Sequence, residues 1–142
     1  MPLFEGEHCN ISVSTQVNAL INIDGTLSFV HPESGEGVDS IGRISAATYW
    51  FGYNKKQNYG MWVVASPLTY VSAASPPTLF LNSSVARMHA GRNDFIKVLD
   101  ENHIYNEVHS FDDAPHSFPL FYPWFDPMLQ YMDGFLKKVF TK

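Results

Sequence analysis

The chain has 142 residues, a length typical of one domain with a substantial hydrophobic core. Charged residues make up 16% of the chain, against about 25% in ordinary soluble domains, and the net charge is −5. The basic residues form no cluster larger than the pairs Lys55-Lys56 and Lys137-Lys138, so the charge pattern of a nucleic-acid-binding protein is missing. No apolar run reaches the ~18 residues of a membrane span. The low charge content indicates that much of the surface is either weakly polar or covered by a partner.

Cysteine and histidine patterns give no sign of a metal site. Cys9 is the only cysteine, which excludes an internal disulfide, and neither a cysteine pair nor a close histidine pair with ligand spacing is present. We therefore expect no metal and no other cofactor. The first ten residues lack the charged and apolar regions of a signal peptide, and the compartment stays open because a longer parent could be exported.

The first predicted element is the apolar run VNALINID at 17–24, which ends at Asp24 and Gly25. Such a run is typical of a strand that is buried on both faces of a parallel sheet. The Gly- and Ser-rich stretch at 31–45 predicts a surface loop. Two short helical pieces follow it, in AATYWFG and YGMWVVAS.

The second half of the chain alternates between strands and helices. SPPTLFLNSS predicts a second strand over 78–81 that ends at Asn82-Ser83-Ser84, and apolar spacing predicts a helix over about 92–102. YNEVHSF alternates as a third strand, and DDAPHSF follows it as a loop. A final helix is predicted to begin at Asp126-Pro127, with Asp126 as its capping residue.

Strand, helix, strand and helix in this order predict an α/β fold, with a three-layer parallel sheet flanked by helices. Ligands of such sheets bind at the carboxyl ends of the strands. Asp24, Ser83, Ser84 and His116 all follow predicted strand ends. We therefore expect these side chains to converge on one crevice.

PPTLFLNSS, LDENHIYNEVHSF, DAPHSF and the closing amphipathic helix, taken together, resemble the C-terminal half of an α/β-hydrolase. The likeness is to bacterial esterases of the lipase and carbohydrate-esterase groups that deacylate plant polysaccharides. It implies that residues 1–142 are the C-terminal part of such a domain and that DAPHSF carries the catalytic histidine. His116 would then be the base of a serine esterase, and the alternative is an ordinary loop histidine.

Two departures from the family limit the resemblance. The nucleophile elbow G-x-S-x-G is absent from the sequence, and in the family it precedes the strand that VNALINID resembles. The aspartate that often follows the family's seventh strand is replaced by NSSVA. Asp24 is the best substitute acid, Glu33 is a weaker one, and Asp24 is equally well explained as a turn residue before Gly25.

Two further residues are candidates for binding the substrate. Trp124 lies in the aromatic stretch FPLFYPWFDP and could stack on a sugar or an aromatic acyl group, although packing of the last helix explains it as well. His89 in ARMHAGRND could bind an acyl or sugar group, or it could form a cap or a salt bridge.

The sequence thus predicts part of a carboxylester hydrolase that acts on acylated carbohydrate and lacks its own nucleophile. We expect the isolated chain to be inactive, and to associate either with a missing N-terminal half or with itself. The alternative function is a non-catalytic remnant or interaction domain of the same fold.

Overall fold

The predicted strands form one parallel sheet. The computed structural model describes residues 12–141, so Cys9 lies outside the described range. The strands are β1 (Leu20–Ile23), β2 (Thr78–Asn82) and β3 (Asn106–Ser110), in the spatial order β1-β2-β3. Leu20 lies opposite Thr78, and Thr78 lies opposite Asn106, with both pairs of strands parallel. The parallel order predicted from the sequence is confirmed.

The strands differ in burial because they differ in position. All five residues of β2, the central strand, are buried. β1 pairs with β2 only, within residues 12–141, and is half-buried, with Ile23 37% exposed. The prediction that residues 17–24 form a strand buried on both faces therefore overestimated both the length and the burial of the strand. Val17 is exposed and precedes the strand, since only four residues of the run pair with β2.

Four α-helices were expected, and the structure has them as α1 (Ala46–Phe51), α2 (Tyr59–Val64), α3 (Arg92–Glu101) and α4 (Phe125–Phe140). Ser45 caps α1 by accepting from the Thr48 N–H, and Asn58 caps α2 by accepting from the Met61 N–H. None of the helices described is long and apolar enough to cross a bilayer.

The start of α4 differs from the prediction. Trp124, not Asp126, is the N-cap residue, and it makes no side-chain capping bond. Asp126 lies within the first turn, where a carboxylate still interacts favourably with the helix dipole. Pro127 is accommodated there because the first N–H groups of a helix have no partner within the helix.

Two hydrophobic clusters cover the two faces of the sheet. Leu79 and Leu81 point to the side of α4, where they pack with Met128 and Phe135. Phe80 points to the other side, where it packs with Phe95 and Leu99 of α3, and with Leu27. Successive residues of a strand alternate between faces. One buried strand therefore holds a helical layer on each side, giving a partial three-layer α/β fold.

Candidate active site

Asp24 follows β1 directly and is almost fully buried, with 1% of its surface exposed. Its backbone has φ +51°, a left-handed conformation that Asp tolerates better than most residues. The Asn22 side chain closes the turn by pairing with the N–H and the carbonyl of Gly25, and the Asp24 N–H donates to the Leu81 carbonyl. This turn fixes the carboxylate at the carboxyl edge of the sheet.

Ser83 follows β2 and supplies two hydrogen bonds to Asp24. Its backbone N–H donates to Asp24 Oδ1 at 2.9 Å, and its hydroxyl donates to Asp24 Oδ2 at 2.6 Å. A buried carboxylate is tolerated only when its oxygens are hydrogen-bonded. Ser83 therefore holds the carboxylate of Asp24 in place.

His116 sits on a short turn after β3 whose two flanks are anchored in the core. Ala114 and Phe118 are fully buried, and the Phe118 N–H donates to the Pro115 carbonyl. The backbone N–H and the hydroxyl of Ser84 both donate to the Ala114 carbonyl, which ties the loop to the end of β2. The turn leaves the His116 ring 54% exposed while its neighbours are fixed.

The structure brings His116 and Asp24 together. His116 Nδ1 lies 2.6 Å from Asp24 Oδ2, across 92 residues of sequence. No other hydrogen bond to the ring exists within residues 12–141, which leaves Nε2 available to a further group. A histidine with Nδ1 on a carboxylate and Nε2 available can take a proton from a nucleophile.

A second imidazole contacts the same carboxylate. His89, at the end of the 3₁₀ turn Ala86–His89, places Nε2 3.2 Å from Asp24 Oδ1. Burial lowers the pKa of His89, and so does the nearby Arg92, while Asp24 opposes both effects. His89 also lines a polar cavity of about 390 Å³ together with Glu33 and Arg92. The predicted contact of His89 with substrate stays a prediction.

The remaining candidates lie elsewhere. Trp124 is half-buried against the α4 cluster, and its Nε1–H donates to Asp113 at 2.9 Å. Its stacking role stays a prediction. Glu33 pairs with His31 and makes no contact with His116.

Sequence reasoning missed the part that Ser83 plays. We singled it out as a polar residue at a strand end, but its two bonds to Asp24 depend on the register between β1 and β2. The signal was its place directly after a buried strand. The described residues contain no cluster of three or more His, Cys, Asp or Glu side chains that could hold a metal ion.

Comparison with known proteins identifies solved structures with a similar fold. No protein-family model and no curated protein matches the chain. Among solved structures, the chain is similar to the native thermophilic esterase Est2 of the planctomycete Thermogutta terrifontis, with TM-score 0.62 and 18% identity over 96% of this chain and 48% of that one. It is also similar to esterase 2 of that organism phosphonylated by sarin, with TM-score 0.64 and 18% identity over 96% of this chain and 49% of that one.

The chain has an esterase-like fold. It spans about half the length of the esterase structures that it matches.

Proposed function

We propose that this chain is the base-bearing part of a serine carboxylester hydrolase. The observation that carries the proposal is the His116–Asp24 pair, at 2.6 Å, on a buried carboxylate at the carboxyl edge of an esterase-like sheet. Asp24 orients the ring through Nδ1, and Nε2 takes the proton of the attacking hydroxyl. The same nitrogen then returns the proton to the leaving alcohol, and a second cycle with water releases the acid.

In this proposal the nucleophile comes from outside the described residues. The Ser83 hydroxyl donates to Asp24, and the Ser84 hydroxyl donates to the Ala114 carbonyl, so both are committed to structural bonds. The sequence has no G-x-S-x-G elbow. We propose that an N-terminal half of the same fold supplies the serine and the oxyanion hole. One of the similar esterases was phosphonylated by sarin, a reagent that reacts with activated nucleophiles of this kind.

The β1 side of the sheet suits association with such a half. The outer edge of β1 pairs with no strand within residues 12–141. Beside it lies an apolar groove of about 640 Å³ whose lining includes Val17, Leu20, Trp50, Phe51, Pro76 and Phe95. An open apolar edge favours pairing with another strand, and in isolation it favours self-association.

For the substrate we propose an acylated carbohydrate. The support is an aromatic surface beside the His116 loop, where Phe121 and Tyr122 are more than half exposed and Trp124 is half-buried. Flat apolar rings of this kind pack against sugar rings. His89, beside the polar cavity, is the proposed contact for a hydroxyl of the substrate.

A non-catalytic interaction domain is the second candidate, and the observation that favours it is the open groove beside β1 without a nucleophile in the sequence. The coding sequence upstream of Met1 separates the two. An open frame that encodes G-x-S-x-G supports the esterase, whereas an independent start site supports the interaction domain.

The decisive experiment compares the isolated chain with a protein that joins it to the nucleophile-bearing half. We expect the joined protein to hydrolyse a short-chain aryl ester and to be inactivated by a serine-directed phosphonate. The isolated chain should show no such turnover, since loss of even one oxyanion donor costs about 10²- to 10³-fold in rate. The proposal would be contradicted if the isolated chain hydrolysed the ester and a serine-directed reagent abolished that activity. A panel of acetylated saccharides and simple alkyl esters tests the substrate class.

A further inference from the structure

Asp24 is shared by two imidazole rings. His116 Nδ1 contacts Oδ2 and His89 Nε2 contacts Oδ1, so each carboxylate oxygen receives one ring nitrogen and one bond from Ser83. An ionised carboxylate offers about four acceptor positions. The four contacts use them, so neither ring can move without leaving a buried acceptor position empty.

The backbone, rather than a side-chain rotamer alone, places His89 at the carboxylate. The carbonyl of Ala90 accepts the N–H groups of Leu27 and Ser28, both at 3.1 Å, just after the Asp24 turn. Ala90 is fully buried, and Gly91 has φ +80° and lies so close to Ser28 that a Cβ would approach the Ser28 Cβ to 3.0 Å. The segment that carries His89 is therefore fixed against the segment that carries Asp24.

The two rings differ in their exposure and in their charged surroundings. The His89 side chain is 17% exposed, against 54% for His116. The charged groups around His89 are Asp24 after β1, Arg92 at the start of α3, and Glu33 across the polar cavity. Burial and Arg92 both lower the pKa of His89. A ring whose Nε2 lies 3.2 Å from an ionised carboxylate oxygen reaches it as an Nε2–H donor.

We propose that His89 is a positioning residue that acts on His116 through their shared carboxylate. This inference rests on the proposed role of the His116–Asp24 pair. The ring of His89 holds Oδ1, which directs Oδ2 at His116 Nδ1–H. When one ring is protonated, its positive charge pairs with the carboxylate of Asp24. The carboxylate then stabilises a proton on the second ring less, so protonation of the second ring is disfavoured. A change at one ring therefore affects the other through Asp24.

The test is an NMR titration of the histidine rings in the purified chain, with three variants. His116→Asn removes one imidazole but retains a donor near the Nδ1 position, and it should raise the titration midpoint of His89 by about 0.5–1 pH unit. His89→Ala should shift the downfield Nδ1–H resonance of His116. His89→Gln, whose amide nitrogen can replace Nε2, should restore that resonance. His109→Gln is the matched control, since His109 also contacts a carboxylate through Nε2 but lies away from Asp24.

An unchanged His89 midpoint in His116→Asn would overturn the inference, and so would an unchanged His116 resonance in His89→Ala. Should His89→Ala fail to fold, the His116→Asn measurement decides, because the His116 ring is largely exposed and its loss leaves the core intact.

The titration needs neither ester nor nucleophile, so its failure is distinct from failure of the proposed function. In the joined protein, His89→Ala should lower kcat, and His89→Gln, which restores a donor to Asp24 Oδ1, should recover it. An increase in KM with kcat unchanged in His89→Ala would show a substrate contact without a positioning role, and would overturn the inference.

Discussion

Two of the histidine–carboxylate pairs within residues 12–141 differ clearly in their surroundings. His116 contacts Asp24, and His109 contacts Glu107 at 3.0 Å. Glu107 also accepts from Lys138 Nζ at 2.8 Å and from the Tyr105 hydroxyl. Asp24 has no lysine or arginine within ion-pair distance in residues 12–141. Glu107 is paired with a lysine, whereas Asp24 contacts two imidazole rings and Ser83.

The rings of His109 and His116 also differ in how much of each ring is already in contact with the protein. The His109 ring stacks on Tyr131 at 3.8 Å with the planes 9° apart. The His116 ring is held only through Nδ1 and is half-exposed. A positive charge that develops on His116 meets a carboxylate without a cation, so the carboxylate stabilises it. A histidine–carboxylate pair therefore suits catalysis when its carboxylate lacks a cation and its outer ring nitrogen is open.

The largest expected effect separates the two carboxylates. In the joined protein, Asp24→Asn should lower kcat/KM for an aryl ester by about 10⁴-fold, the loss typical of a triad acid replaced by its amide. Glu107→Gln is the matched control and should leave kcat/KM within a few-fold of the parent. Equal losses in the two variants would remove the distinction between the pairs.

A smaller effect is expected at Ser83. Ser83→Ala removes the hydroxyl bond to Asp24 Oδ2, and we expect about a tenfold loss of kcat/KM together with about 1–2 kcal/mol of unfolding free energy. Ser110→Ala, at the exposed end of β3, is the control for a serine without that bond. Urea denaturation and ester kinetics measure both quantities. Full activity in Ser83→Ala would show that the hydroxyl does not orient the carboxylate.

Glu107 should contribute stability that depends on pH. Partial burial works to raise the pKa of Glu107, but hydrogen bonds from Lys138, Tyr105 and His109 outweigh it and lower the pKa to about 2, from 4.5. A lowered pKa contributes stability above pH 4.5 that is lost as the pH falls towards 2. Relative to the parent, Glu107→Gln should be less stable by about 1–2 kcal/mol at pH 7, and the difference should shrink in acid. A difference that is constant with pH would contradict this account.

The smallest expected effect is the loss of stability on removing the lysine that pairs with Glu107. Lys138→Met removes the cation from Glu107 and should lower the free energy of unfolding more than the loss of an exposed ion pair does, since the carboxylate is mostly buried. Lys137→Met breaks only an exposed i,i+4 pair with Asp133 and should cost about 0.3–0.5 kcal/mol. Thermal unfolding of the two variants makes the comparison, and a larger loss in Lys137→Met would be the opposite result.

Much of the fold could be predicted because its elements have clear periodicity. The apolar core of β2 and the Phe95, Ile96 and Leu99 spacing of α3 indicated the elements that pack the centre of the molecule. The convergence of Asp24 and His116 followed from the rule that parallel strands end at one edge. Those predictions needed only local pattern and topology.

The contacts of the loops could not be predicted in the same way. The meeting of His89 with Asp24 depends on how the Ala90 carbonyl docks on Leu27 and Ser28. The start of α4 depends on the preceding aromatic turn, in which Trp124 Nε1–H donates a hydrogen bond to Asp113. Such contacts depend on how distant segments pack against each other, and this packing produces no periodic pattern in the sequence.

The most direct test of the central claim is the loss of activity on removing each histidine from the joined protein. His116→Ala should reduce kcat/KM for a short-chain aryl ester by at least about 10⁴-fold, since the ring proposed to take the proton of the nucleophile is then missing. His109→Ala should retain activity close to that of the parent, although with lower stability from the lost contact with Tyr131. Retained activity in a folded His116→Ala protein would contradict the assignment of His116 as the base.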